Sequence, residues 1–89
     1  RTFPKSFLVY RLDQADAQLL RAKFLGDSGQ PEASAFFRDL AGRTVSQIRN
    51  ILEQGRPQSW RAMPAVSVEA ALDEVRERLV NEGSQIWLT

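Results

Sequence analysis

Neither cysteine nor histidine occurs anywhere in the 89 residues. Their absence removes the thiolate and imidazole ligands of ordinary structural zinc sites. It also removes Ser-His and Cys-His nucleophile pairs and the usual haem and iron–sulfur attachments. Without disulfides the fold must hold by packing alone, and oxidising and reducing compartments are equally open to it. Long hydrophobic runs are missing as well. Nothing approaches the ~20 apolar residues of a membrane span, and the run Phe7 to Tyr10 is too short for a signal-peptide core. The expectation is therefore no metal, no cofactor and no membrane partner, with a cytoplasmic location.

What is present fits a folded chain. Residues are 43% hydrophobic and 26% charged, a balance typical of globular domains and unlike disordered segments. A chain of this size buries roughly 60–65% of its unfolded surface, enough for one core. Residues 1–89 read as a single small domain. Because it begins with Arg1 and not methionine, the chain fits a processed or excised piece of a larger protein.

The net charge of +1 hides an uneven distribution. Residues 1–60 hold nine Lys/Arg against six Asp/Glu, and residues 61–89 hold three against five. Ten of the twelve basic residues are arginine, the side chain suited to bidentate recognition of phosphates, guanine edges and carboxylates. An Arg- and Ala-rich composition also follows from codon usage in a GC-rich genome. The asymmetry tilts towards an anionic partner at the basic end.

Along the chain, Ser6 to Leu12 (SFLVYRL) is short, aromatic and β-branched and reads as a strand. Asp13 offers an N-cap for a first helix over Gln14–Leu25, presenting Ala17, Leu19, Leu20 and Phe24, with Asp16 placed in its first turn. Gly26-Asp27-Ser28-Gly29 ends that helix. Pro31 suits the first position of a second helix, with the stripe Ala33, Phe36, Phe37, Leu40 and Ala41, closed by Gly42. Thr44 with Gln47 matches a capping box for a third helix, which buries Val45, Ile48, Ile51 and Leu52 and stops at Gly55. Residues 56–66 read as a loop that folds Trp60 and Met63 back onto the helices. Ser67 caps a fourth helix striped by Val68, Ala71, Leu72, Val75 and Leu79, with Glu74 and Arg78 spaced to pair along its wet side. Gly83 ends it, and Ser84–Thr89 reads as a final strand. The expected fold class is α+β, mostly α: a four-helix domain with a short strand at each terminus, β-α-α-α-α-β. The two strands are expected to pair with each other, placing Trp87 in the core near Tyr10.

Catalytic constellations do not emerge. Asp13 and Asp16 are accounted for at a helix start, and Glu69, Asp73 and Glu77 fall on a solvated helical line. General acid/base work needs two carboxyls in different environments within one cleft. The GDSG turn is too short to cradle phosphate, and no calcium-loop spacing occurs. The expectation is a non-enzymatic domain.

Binding has more to offer. With its apolar stripe turned inward, the third helix displays Ser46, Gln47, Arg49, Asn50 and Glu53, with Arg43 at its start and Arg56 past its end. Arg, Gln, Asn and Ser match the donors and acceptors of base edges. Over residues 34–55, two helices across the Gly42 turn resemble the helix-turn-helix of DNA-binding proteins through Gly42, Ile48 and Ile51. The pattern departs at Arg38, where a small residue is usual, and at Arg43, where an apolar one is. The resemblance implies Gln47, Arg49 and Asn50 on bases and Arg38, Arg43, Arg56 and Arg61 on phosphates. A ribbon-helix-helix template fits less well, since Arg11 is the only basic reader on the first strand. The competing expectation is a protein-interaction or homodimerising module, using an edge strand with Tyr10 and Arg11 or the Trp60 loop.

Overall fold

The stretch Ser6–Leu12 is helical, not extended, and that difference reorganises the first third of the chain. In the computed structural model, which describes residues 2–53 and 65–87, the order is β1 (Thr2–Pro4), α1 (Lys5–Asp27), α2 (Pro31–Leu52), α3 (Ala65–Val80) and β2 (Gln85–Trp87). The described residues thus hold three helices where four were expected, with a two-stranded antiparallel sheet.

Two expected boundaries are absorbed into helices. The first is Asp13, which stands exposed in the middle of α1 and caps nothing. Its helix starts at Lys5, and Pro4 at the N-cap, with φ −70° and no N–H to satisfy, suits a position just outside the first turn. Leu8, Leu12, Ala15, Leu19 and Ala22 are all buried. Their spacing of four, three, four and three is helical, and it outweighs the strand preference of Phe7, Val9 and Tyr10. Burying the 8-12-15-19 line turns Leu20 and Phe24 outward, where they are 67% and 68% exposed, against the expectation that both face the core.

The second is Gly42, which lies buried inside α2 and makes no turn. Ala41, Val45, Ile48 and Leu52 continue one buried stripe straight through it, joining the expected second and third helices. A glycine inside a helix costs about 1 kcal/mol relative to alanine, less than one buried aliphatic side chain returns. Thr44 is accordingly no cap. Its hydroxyl donates to the Leu40 carbonyl one turn back, at 3.0 Å.

Turn chemistry between α1 and α2 follows the sequence more closely. Gly29 adopts φ +77°, the left-handed conformation that glycine supplies without strain. Pro31 opens α2 as expected, with Glu32 in the first turn. The α3 stripe Val68, Ala71, Leu72, Val75 and Leu79 is buried in full, although the helix begins at Ala65, so Ser67 falls inside it. Ala41, Val45, Ile48 and Leu52 of α2 and Leu8, Leu12, Ala15 and Leu19 of α1 complete one core with it, capped by Ile86.

The terminal strands pair within the chain, with Thr2 opposite Trp87, Phe3 opposite Ile86 and Pro4 opposite Gln85. Alternation sends Ile86 inward, so Trp87 is 73% exposed and is not a core residue near Tyr10. The backbone N–H of Lys5 donates to the Ser84 carbonyl at 3.0 Å and its Nζ to the Glu82 carbonyl at 2.9 Å, extending the clasp.

Candidate functional site

Three helices in one core give each helix pair its own seam, and the seams differ in chemistry. Where α3 meets the other two, charges meet. Glu69 of α3 accepts from Arg38 of α2 at 3.3 Å and lies 4.0 Å from Lys23 of α1. Arg49 of α2 reaches Glu74 of α3 at 3.6 Å, and Arg76 of α3 pairs with Asp16 of α1. Three of these pairs set a carboxylate of the acidic final third against a cation of the basic part, and Arg76 with Asp16 runs the other way. Glu74 and Arg78 do not pair with each other as their spacing allowed, for Arg78 donates instead to the Leu52 carbonyl at 3.1 Å.

These contacts decide the surroundings of the residues expected on nucleic acid. Arg38 and Arg49 are turned towards α3, with side chains 23% and 25% exposed. Arg43 pairs with Asp39 one turn away in α2, at 2.9 Å. Gln47 accepts from Arg11 at 2.7 Å. The Nε of Arg49 and the Oδ1 of Asn50 are buried, with no hydrogen-bond partner among the described residues. Arg38, Arg49 and Asn50 thus do not share one open surface with Arg43 and Gln47. With α2 unbroken at Gly42, the turn that defines a helix-turn-helix is absent from residues 34–52. Arg56, Arg61 and Trp60 lie outside the described residues.

The α1–α2 seam is of another kind. The helices run antiparallel, as Arg11 meets Gln47 and Arg21 meets Phe37. Along α1, positions 11, 14, 18 and 21 repeat at helical spacing away from the α3 contacts, and positions 37, 40, 44 and 47 do so on α2. The result is a polar ladder. Gln14 donates to the Tyr10 hydroxyl at 3.3 Å, and Arg11 donates to Gln14 at 3.0 Å as well as to Gln47. Further along, Thr44 stands 3.3 Å from the Gln18 amide oxygen. The Arg21 guanidinium then lies 5.1 Å from the centroid of Phe37, whose ring meets Phe36 edge-on.

Above this ladder the hairpin is open. α3 covers one side of it, and the opposite side presents Tyr10 at 60% and Phe36 at 62% exposure. Of the residues expected at a protein interface, Tyr10 and Arg11 are brought together here through Gln14. Phe36, Arg21 and Gln47 join them. The first two belong to stripes that read as core and solvent respectively, so nothing in either helix alone marked the face they make together.

Reactive chemistry is not assembled among the described residues. No three His, Cys, Asp or Glu side chains converge as metal ligands there. Asp13 and Asp16 do not form a carboxylate pair, since Asp16 is taken by Arg76. Asp73 and Glu77 are exposed on the outer line of α3. No helix among the described residues is long and apolar enough to cross a membrane. Comparison with known protein families, with curated proteins and with solved structures finds no match to this chain.

Proposed function

We propose that this chain is a non-enzymatic protein-interaction domain whose docking surface is the side of the α1–α2 hairpin turned away from α3. The observation that carries this reading is the exposure of Tyr10 and Phe36 at the two ends of a ladder that runs from Arg11, Gln14 and Gln47 to Arg21 and Phe37. Aromatic side chains surrounded by arginine and amides have the composition of interface hot spots. The ladder also holds its members in place before any partner arrives, which lowers the ordering cost of association. Against a nucleic-acid role, Arg38, Arg43 and Arg49 each have a carboxylate of the same chain beside them. Phosphates must compete with those carboxylates.

Two titrations test the reading. A bis-ANS titration of the folded chain, at a protein concentration low enough that self-association is dissociated, should give strong fluorescence that Phe36→Asp substantially reduces. A labelled DNA duplex and a labelled single strand, titrated at low salt, should show no saturable binding. Tight duplex binding that weakens steeply with salt and with Arg43→Ala/Arg49→Ala would overturn the reading in favour of nucleic acid.

A further inference from the structure

Resting on the docking surface just described, we infer that its occupant is a second copy of this chain, related by a two-fold axis parallel to the hairpin helices, so that two α1–α2 pairs close into a four-helix bundle.

The charges on the face argue for it. Its α1 half carries Arg11, Arg21 and Asp13, while its α2 half carries Glu32 and the Asp39–Arg43 ion pair at the same helical spacing as Phe36, a sum of one positive charge against one negative. The α1 half is thus net positive and the α2 half net negative. A two-fold axis along the helices lays α1 of one copy over α2 of the other, which brings unlike halves together twice. An axis across the helices would set α1 on α1, arginine facing arginine, and like charges disfavour that pairing. The parallel axis also preserves height along the bundle. Arg21, level with Phe37 of its own chain, then meets the other copy within one turn of Asp39 and beside Phe36. Phe36 gains a guanidinium over its ring of the kind Phe37 already has.

Dimensions agree. Helices of 23 and 22 residues are about 33 Å long, and two side by side span about 20 Å. One face therefore offers about 650 Å², and two together about 1,300 Å², within the range of specific interfaces. An interface of this kind is isologous and closes at two copies, whereas a heterologous one would grow into rings or filaments.

Sedimentation equilibrium over a wide concentration range tests the proposal, with circular dichroism to verify folding. The 89-residue chain should sediment at twice its 10.1 kDa mass in the upper part of the range. Phe36→Asp and Arg21→Glu, both at surface positions, should each raise the dissociation constant at least about tenfold while keeping the helical spectrum. Asp73→Lys on the outer line of α3 should leave it unchanged. Restoration of the dimer by combining Arg21→Glu with Asp39→Arg would support the parallel axis. A dimer that resists Phe36→Asp and yields to Asp73→Lys would overturn the proposal by moving the interface to α3. A chain that stays monomeric throughout would overturn it too. In that case bis-ANS binding sensitive to Phe36→Asp would leave the docking surface standing with a different occupant. Its absence would remove both.

Discussion

Arg38 of α2 donates to Glu69 of α3 at 3.3 Å, across a seam where the arginine side chain is largely covered. Lys23 of α1 approaches the same carboxylate oxygen at 4.0 Å, so one acidic group holds a position common to all three helices. Ion pairs at this degree of exposure contribute little individually. Together they bias helix order and tilt towards the arrangement in which the charges of α3 meet opposite charges on α1 and α2.

A double-mutant cycle on Arg38→Ala and Glu69→Ala should return a coupling of about 0.5–1 kcal/mol in urea unfolding, diminishing as salt rises. Coupling near zero would assign Arg38 to packing through its aliphatic stem alone.

Helical continuity of α2 is open to a direct test at Arg43. Proline there removes an N–H from the middle of a helix and clashes with the preceding turn, at a cost of about 3 kcal/mol or more. A break in the helix at Gly42 would let Arg43→Pro unfold at nearly the denaturant midpoint of the parent. The expected outcome is a large downward shift.

The helical form of residues 5–12 predicts a contrast between two leucines on α1. Leu12→Ala empties a site that is 2% exposed and should cost about 2–5 kcal/mol. Leu20→Ala, on the outer side of the helix, should stay within about 0.5 kcal/mol of the parent. Comparable losses at both would contradict the burial pattern of α1.

Gly29→Ala places a Cβ where φ is +77° and where nothing lies within 4 Å. Steric room is therefore not at issue, and only the backbone penalty of about 1–2 kcal/mol is read out. Gly29→Asn should lose less than Gly29→Ala, since asparagine tolerates that conformation better.

Several of these features are legible in the amino-acid sequence alone. Val68, Ala71, Leu72, Val75 and Leu79 stand at clean helical spacing and are buried together. The turn before Pro31 was legible because glycine and proline act locally, and so was a strand within residues 84–89, but its partner is Thr2–Pro4 and not the expected Ser6–Leu12. Ser6–Leu12 misleads because its bulky outer residues, Phe7, Val9 and Tyr10, hide the Leu8–Leu12 repeat that the core uses. Gly42 misleads in the opposite sense, as a helix breaker overruled by the Ala41–Val45–Ile48–Leu52 line running through it. The candidate site was legible only in part, at Tyr10 and Arg11. Gln14, Gln18 and Gln47 look like a solvated helix face until α2 is laid beside α1, and interhelical register is not written within either helix.

The clasp of β1 and β2 holds the two ends of the described fold side by side. Thr2 and Trp87 are register partners, and opposed residues in an antiparallel pair have Cα atoms about 4.5–5.5 Å apart. Leu88, Thr89 and Arg1 lie between these two in a circularised 89-residue sequence, enough for a three-residue hairpin loop with nothing added. New ends could then be opened in the exposed Ser28–Gly29 turn, giving a circular permutant with the same core and a cut hairpin loop. In such a permutant β1 and β2 become a sequence-local hairpin, and α1 and α2 become the distant pair. The native order makes the helix hairpin local and leaves the strands to be closed across nearly the whole chain.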